Sequence, residues 1–326
     1  MEGGIRMVSV GYTLMSEQAG PKHLVDHAVR AEAAGFDQLV MSDHYYPWLD
    51  SQGHSPYAWS VLGAVAHATS RAQLMSFVTC PIRRYHPAVV AQKASTIGAL
   101  SDGRFTLGLG AGENLNEHVV GGWPHVQQRH EMFEEALQII RPLLNGETLT
   151  FSGNHFDVPD AYVWDRPERP VPMAIAASGR QSATLAAEYG NGIISTEPDR
   201  HIIEMYDDAG GAGQPRYGQV AICYGPDEAE CRKIVHDQFR WFGMGWKVNA
   251  ELPGPESFTA ATQFVREEDV AEGIPCGPDV NAHVEAFRKF VDAGFTHVAI
   301  VQVGGETQPM FLDWAQEQLL PRLRAL

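Results

Sequence analysis

Two hydrophobic rhythms alternate along this chain. Short continuous apolar runs, rich in Val, Ile, Leu and Met, give way repeatedly to longer stretches where apolar residues recur every third or fourth position. The first pattern belongs to strands buried on both faces, the second to amphipathic helices. The runs predict strands over 7–12, 36–42, 73–79, 104–110, 172–177, 192–196, 219–224 and 297–303. Helices are predicted over 21–34, 56–69, 87–100, 129–144, 181–189, 201–209, 228–241, 281–293 and 309–323. In 129–144 the face is written by Met132, Phe133, Ala136, Leu137 and Ile140. Gly35 and Gly294 stand just past two of these helices, where a left-handed residue ends a helix. Eight βα units in one chain point to an α/β fold, a (β/α)8 TIM barrel, ahead of a doubly wound sheet.

Three segments break the rhythm. Residues 115–128, 148–169 and 243–277 are long, Gly/Pro-rich and partly aromatic. Long irregular segments in a compact domain usually act as lids or binding loops. They are therefore expected as insertions at the C-terminal face of a single barrel domain spanning 1–326.

Composition narrows the partners. The 326 residues are 44% hydrophobic and 20% charged, with a formal net charge of −16. Such an acidic balance works against phosphate backbones and anionic lipid, so neither nucleic acid nor membrane is an expected partner. No stretch approaches about 18 uninterrupted apolar residues, the length of a membrane span. Cys80, Cys223, Cys231 and Cys276 are widely spaced without a CxxC, which predicts neither a metal nor a disulfide framework and suits a reducing cytoplasm. The leading Met1-Glu2-Gly3-Gly4 lacks a basic stretch with an apolar run behind it, so no signal peptide is expected.

The richest chemistry lies in 103–113. A turn launches a short strand that ends in Gly108, Gly110 and Gly112 followed by Glu113. Glycines let backbone approach a flat ligand closely, and strand ends are where barrels place their chemistry. Glu113 occupies the place of the third glycine of a dinucleotide fingerprint, so that motif is excluded. The pattern suggests a planar cofactor with a proton donor beside it. Asp43-His44 ends the second strand, with Tyr45, Tyr46 and Trp48 just beyond, which makes His44 a candidate general base; the plainer alternative is a loop histidine that only makes hydrogen bonds. Ala176 to Gln181 crosses from a strand into a helix through small residues, a turn whose free N–H groups suit an anion, although Ser178 as an ordinary N-cap also explains it. His23 and His27 share a helix face, but no third ligand completes a metal set, and neither a Gly-x-Ser-x-Gly elbow nor a phosphate loop is present.

Taken together, Asp43-His44, Trp48, Ser76-Phe77-Val78-Thr79, the run Gly110-Ala111-Gly112-Glu113-Asn114-Leu115-Asn116-Glu117, and Ala177-Ser178-Gly179 resemble the luciferase-like barrel oxidoreductases that use coenzyme F420. Within them the chain is similar to the deazaflavin-dependent glucose-6-phosphate dehydrogenase group. The resemblance implies a (β/α)8 barrel with insertions, a homodimer, and coenzyme F420 (8-hydroxy-5-deazaflavin) as cofactor. It implies that His44 takes the substrate hydroxyl proton and that Glu113 acts as acid toward the ring. Trp48 would lie against the reacting centre and Glu17 on an acidic position near it. Asp43, Ser76, Phe77, Thr79, Gly112, Asn116, Ala176, Ala177, Ser178 and Gly179 would form the cofactor site, with a non-prolyl cis peptide at Ser76-Phe77. Thr196, Asp199 and Glu272 would face the substrate. The lysines that hold the sugar phosphate in that group fall here on Asp199 and Glu272, two acids that would repel a phosphate dianion. A neutral alcohol or sugar is therefore the expected small-molecule substrate. The alternatives are a sugar-6-phosphate dehydrogenase proper, an FMN-dependent luciferase-like monooxygenase on the same barrel, and a non-enzymatic cofactor carrier.

Overall fold

The computed structural model describes residues 8–326; Met1 to Gly4 and Met7 lie outside the described residues. Its strands are β1 (Ser9–Leu14), β2 (Gln38–Met41), β3 (Gln73–Ser76), β4 (Phe105–Leu109), β5 (Leu149–Ser152), β6 (Asp157–Ala161), β7 (Met173–Ala176), β8 (Ile193–Ser195), β9 (Arg216–Ile222) and β10 (His297–Gln302). Eight of them close a parallel barrel in the order β1-β10-β9-β8-β7-β4-β3-β2. Closure comes from β1, which pairs with β2 at Gly11↔Gln38 and with β10 at Ser9↔His297.

Strand alternation explains why these runs are apolar throughout. In β2, Leu39 packs outward among the helices, whereas Val40 points into the barrel with Met75, Ala174, Ile194 and Ala299. Both faces are dry, so both are mainly apolar. Above that inner layer, Phe77, Val78 and Ala176 are half-buried and form the floor of the barrel mouth. Helices Pro21–Ala34 and Pro87–Leu100 match their expected limits, each opening on a proline. The first ends at Gly35 in the left-handed region, its N–H returning to Ala31 O.

The interruptions differ from expectation. Residues 148–169 contain an antiparallel hairpin, β5 with β6. This segment joins the end of helix Val126–Asn145 to the start of β7, so it leaves the amino end of the barrel, not the C-terminal face. Its turn is pinned to the flank of that helix by Glu135, whose carboxylate accepts N–H groups from Asn154, His155 and Phe156. Residues 243–277 are largely helical, with Trp246–Asn249, Gly254–Ala261 and Glu267–Ala271. The helix expected to begin at 129 starts at Val126, and the one expected over 309–323 contains a π turn at Ala315–Leu319. Three cysteines that are distant in sequence, Cys223, Cys231 and Cys276, meet in one apolar cluster, and all four cysteines are free.

Candidate active site

Adjacent strands β1 to β4 deliver four segments to the same side of the mouth. Met15-Ser16-Glu17 follows β1, Ser42-Asp43-His44 follows β2, Phe77-Val78-Thr79 follows β3, and Gly110 to Glu113 follows β4. The imidazole of His44 lies between two carboxylates. Its Nδ1 is 3.4 Å from Glu17 Oε1 and its Nε2 is 3.6 Å from Glu113 Oε1. Nδ1 also meets the carbonyl of Tyr46 at 3.1 Å. Both neighbours of Nδ1 are acceptors and the Tyr46 carbonyl is the nearest of all, a setting that favours the tautomer with its proton on Nδ1.

Each carboxylate is held. Glu17 is buried, and its Oε2 accepts from Ser16 Oγ at 3.0 Å and from Ser42 Oγ at 2.5 Å. Glu113 Oε1 accepts from the amide of Asn116, whose Oδ1 accepts from Tyr45 N and Tyr46 N. Asn116 thus ties the loop after His44 to the acid after β4. Trp48 rests against His44 with ring centroids 5.1 Å apart.

Beneath this pair is a second layer that sequence patterns did not reveal. Asp43 is buried, accepting from Trp59 Nε1 and Thr79 Oγ1 at Oδ2 and from Tyr85 OH at Oδ1. Arg84 donates to the Asp43 carbonyl and pairs with Glu117 through Nε at 3.0 Å. Burial alone would lower the Arg84 pKa, but the Asp43 and Glu117 carboxylates outweigh it and raise it above its ordinary value. Burial raises the Glu117 carboxyl, with Arg84 acting in the opposite sense. Glu117 follows Glu113 by one helical turn, and that spacing was the one available signal for it.

The expected cofactor residues therefore divide. The side chains of Asp43 and Thr79 are engaged with each other, and Ser76 Oγ bridges β3 to β4 through Gly108 N and O, both at 3.0 Å. Phe77, Ala176, Gly112 and Gly179 are partly open, Ala177 is buried and Ser178 is exposed. The cis peptide lies at Phe77-Val78, not at Ser76-Phe77. The physical reason is the ladder: Phe77 N still donates to Met41 O, so β3 keeps its pairing through Ser76-Phe77 and departs one residue later, before Thr79 N rejoins Gly108 O.

The floor is tight. A Cβ on Gly108 would sit 1.9 Å from Ser76 O, and one on Gly110 2.8 Å from Val78 Cγ2. Gly112 has φ +79°, and its Cβ would meet Cys80 Sγ. Beside β4, after the neighbouring strand β7, helix Arg180–Tyr189 begins after Gly179, which supplies no side-chain cap and faces open space. A flat apolar floor, an acid and an amide at one edge, and an uncapped helix start at another fit a planar heterocycle carrying an anionic tail.

The residues expected to face the substrate, Thr196, Asp199 and Glu272, are all exposed. Asp199 caps helix Arg200–Tyr206, accepting from His201 N at 2.8 Å. The aromatic segments separate. Tyr162 and Trp164 line a groove on the barrel flank with Ala88 and Val89, away from the mouth, whereas Trp241 stacks on Trp48.

A closed parallel barrel with a His between two carboxylates at the carboxyl ends of its strands has the layout of a barrel enzyme's active site. The chain belongs to the luciferase-like monooxygenase family, whose model matches residues 1–297. It is 35% identical, over 98% of this chain and 100% of the relative, to an F420-dependent glucose-6-phosphate dehydrogenase of Intrasporangium calvum. An F420-dependent hydroxymycolic acid dehydrogenase of Mycobacterium tuberculosis is 35% identical over 97% of this chain and 88% of its own. Among solved structures, an F420-dependent secondary alcohol dehydrogenase with an F420-acetone adduct superposes with TM-score 0.89 at 25% identity, covering 97% of this chain and 99% of that one.

Proposed function

We propose that this chain is an F420-dependent oxidoreductase acting on the CH–OH group of a neutral alcohol or sugar. The observation that carries the reading is His44, held through Nδ1 by Glu17 and presenting Nε2 toward Glu113 at the barrel mouth. Coenzyme F420, when bound, supplies the deazaflavin carbon that exchanges hydride with the substrate carbon. His44 Nε2 takes the hydroxyl proton of the alcohol, and Glu17 stabilises the resulting charge through Nδ1–H. Glu113 holds a proton at the polar ring edge, oriented by Asn116. Phe77, Val78 and Ala176 support the ring face, and the turn Ala177 to Gly179 with the helix behind it holds the anionic tail. Trp48 shields the reacting centre from water.

Thr196, Asp199 and Glu272 border the substrate, and the two acids disfavour a phosphorylated sugar. The same reading takes 1–326 as one barrel domain, a homodimer as in the resembling group, and a cytoplasmic home, which the four free cysteines favour. No helix among the described residues is long and apolar enough to cross a membrane.

Fluorescence titration with F420, riboflavin phosphate and a nicotinamide tests the cofactor, and turnover of an alcohol panel tests the reaction. His44→Ala should lower kcat by about 10²–10⁴-fold with F420 affinity nearly unchanged. Flavin binding without F420 binding would refute the cofactor, and near-normal turnover by His44→Ala would move the base to Glu17.

A further inference from the structure

Trp48 is the aromatic side chain that touches His44, and it does not stand alone. One of its neighbours, Trp241, comes from the turn Arg240–Met244, which leads into the insertion 243–277. The two indoles lie 4.1 Å apart between centroids and 13° from parallel. Phe258, from helix Gly254–Ala261, meets Trp48 edge-on at 5.2 Å and is fully buried. Met244 and Leu252 from the same insertion pack on this cluster, and so does Leu115, two residues beyond Glu113. The insertion therefore builds one continuous apolar wall that touches the base side of the mouth through Trp48 and the acid side through Leu115.

The wall is also latched. Asn114 N donates to Ala250 O and Asn114 Nδ2 to Glu251 O, while Glu251 pairs with Arg129 at 2.6 Å. Trp241 Nε1 donates to Gln238 O, which fixes the indole's rotation. Three arginines are engaged elsewhere. Arg84 is locked between Asp43 and Glu117, Arg288 pairs with Glu285 on its own helix, and Arg240 donates to Thr262 Oγ1 and Asp237 O.

We propose that Trp241 is a specificity-determining residue: by stacking on Trp48 it fixes an apolar wall that selects an uncharged alcohol with an apolar arm. The proposal rests on the dehydrogenase reading given above and adds the feature that chooses the substrate. An aromatic face gains from burying apolar carbon and offers nothing to offset desolvation of a phosphate dianion. Trp241 touches Trp48 and not His44, so its loss changes which substrate fits and leaves the proton chemistry in place.

The test is kcat/KM with F420 for 2-propanol, cyclohexanol, glucose and glucose 6-phosphate, measured on wild type, Trp241→Ala and Trp241→Phe. Thermal unfolding and F420 affinity confirm that each variant is folded and loaded. In Trp241→Ala the preference for cyclohexanol over 2-propanol should fall by about tenfold or more, through KM, with Trp241→Phe close to wild type. Calorimetric binding of cyclohexanol to the F420-loaded protein should weaken in parallel. An equal loss on every substrate, or a loss that follows F420 affinity, would reduce Trp241 to a structural support and overturn the inference. A wild type that prefers glucose 6-phosphate would also overturn it while leaving the dehydrogenase reading intact. If wild type binds F420 but turns over no alcohol, the dehydrogenase reading itself fails and this inference goes with it.

Discussion

Lys93 offers a sharp test of the electrostatics under the active site. It lies on helix Pro87–Leu100, and its ammonium is buried without a hydrogen-bond partner. What surrounds it is aromatic: the rings of Tyr85, Trp59 and Tyr57. Tyr85 in turn donates to Asp43, directly beneath His44. Asp43 and Glu117 favour the charged amine and Arg84 opposes it, but burial dominates and lowers the pKa from 10.5 to about 7. A folded value below the unfolded one means that the unfolded chain binds more protons. The group therefore costs stability, fully below pH 7, and the cost disappears as the pH rises toward 10.5.

A shift of that size corresponds to a cost of about 5 kcal/mol below pH 7, of which cation–π contacts return about 1–2 kcal/mol. Lys93→Met keeps the stem and removes the charge. It should stabilise the fold by about 3 kcal/mol at pH 6, a gain that begins to decline above about pH 8, by roughly 1.4 kcal/mol per pH unit, and vanishes near pH 10. Urea unfolding of both proteins at pH 6, 8 and 10 measures this directly. A gain that stays constant across that range, or a loss of stability at pH 6, would show that the ammonium is satisfied where it sits and that burial does not govern it.

Two further outcomes follow from the same layer. Arg84→Met strands the buried Asp43 and Glu117 carboxylates and should cost about 3–5 kcal/mol in urea unfolding; a change under about 1 kcal/mol would refute the pairing. Gly108→Ala places a Cβ 1.9 Å from Ser76 O, where only backbone can give, so soluble folded yield should collapse, whereas Gly179→Ala, with nothing within 4 Å, should fold normally by circular dichroism.

The barrel was legible because most of its strands are largely dry on both faces, which makes the middle of each mainly apolar. The hairpin escaped because it is half-exposed on a helix flank, and its alternation, buried at Val158 but open at Asp157 and Asp160, resembles a loop. The helices in 243–277 are too short for periodicity to register. Similarly, His44 and Glu113 were legible because each stands just after a strand, the one position that a barrel turns toward its mouth. The contacts around them run between segments that follow different strands: Ser42 with Glu17, Asn116 with Tyr45, Tyr85 with Asp43.

Position after a strand thus identifies which residues reach the mouth, and only the closed barrel decides which of them face each other. Asp43 and His44 are neighbours in sequence with opposite fates. Strand parity sends Asp43 outward, toward the helix layer, to Thr79, Trp59 and Tyr85, and leaves His44 at the mouth between Glu17 and Glu113. The aromatic residues divide for the same reason. Tyr162 and Trp164 hang from the amino end of β7, and Trp241 from the carboxyl end of β9, so only Trp241 can reach Trp48. The polarity of the barrel, more than the aromatic content of any loop, therefore determines which insertion reaches the mouth.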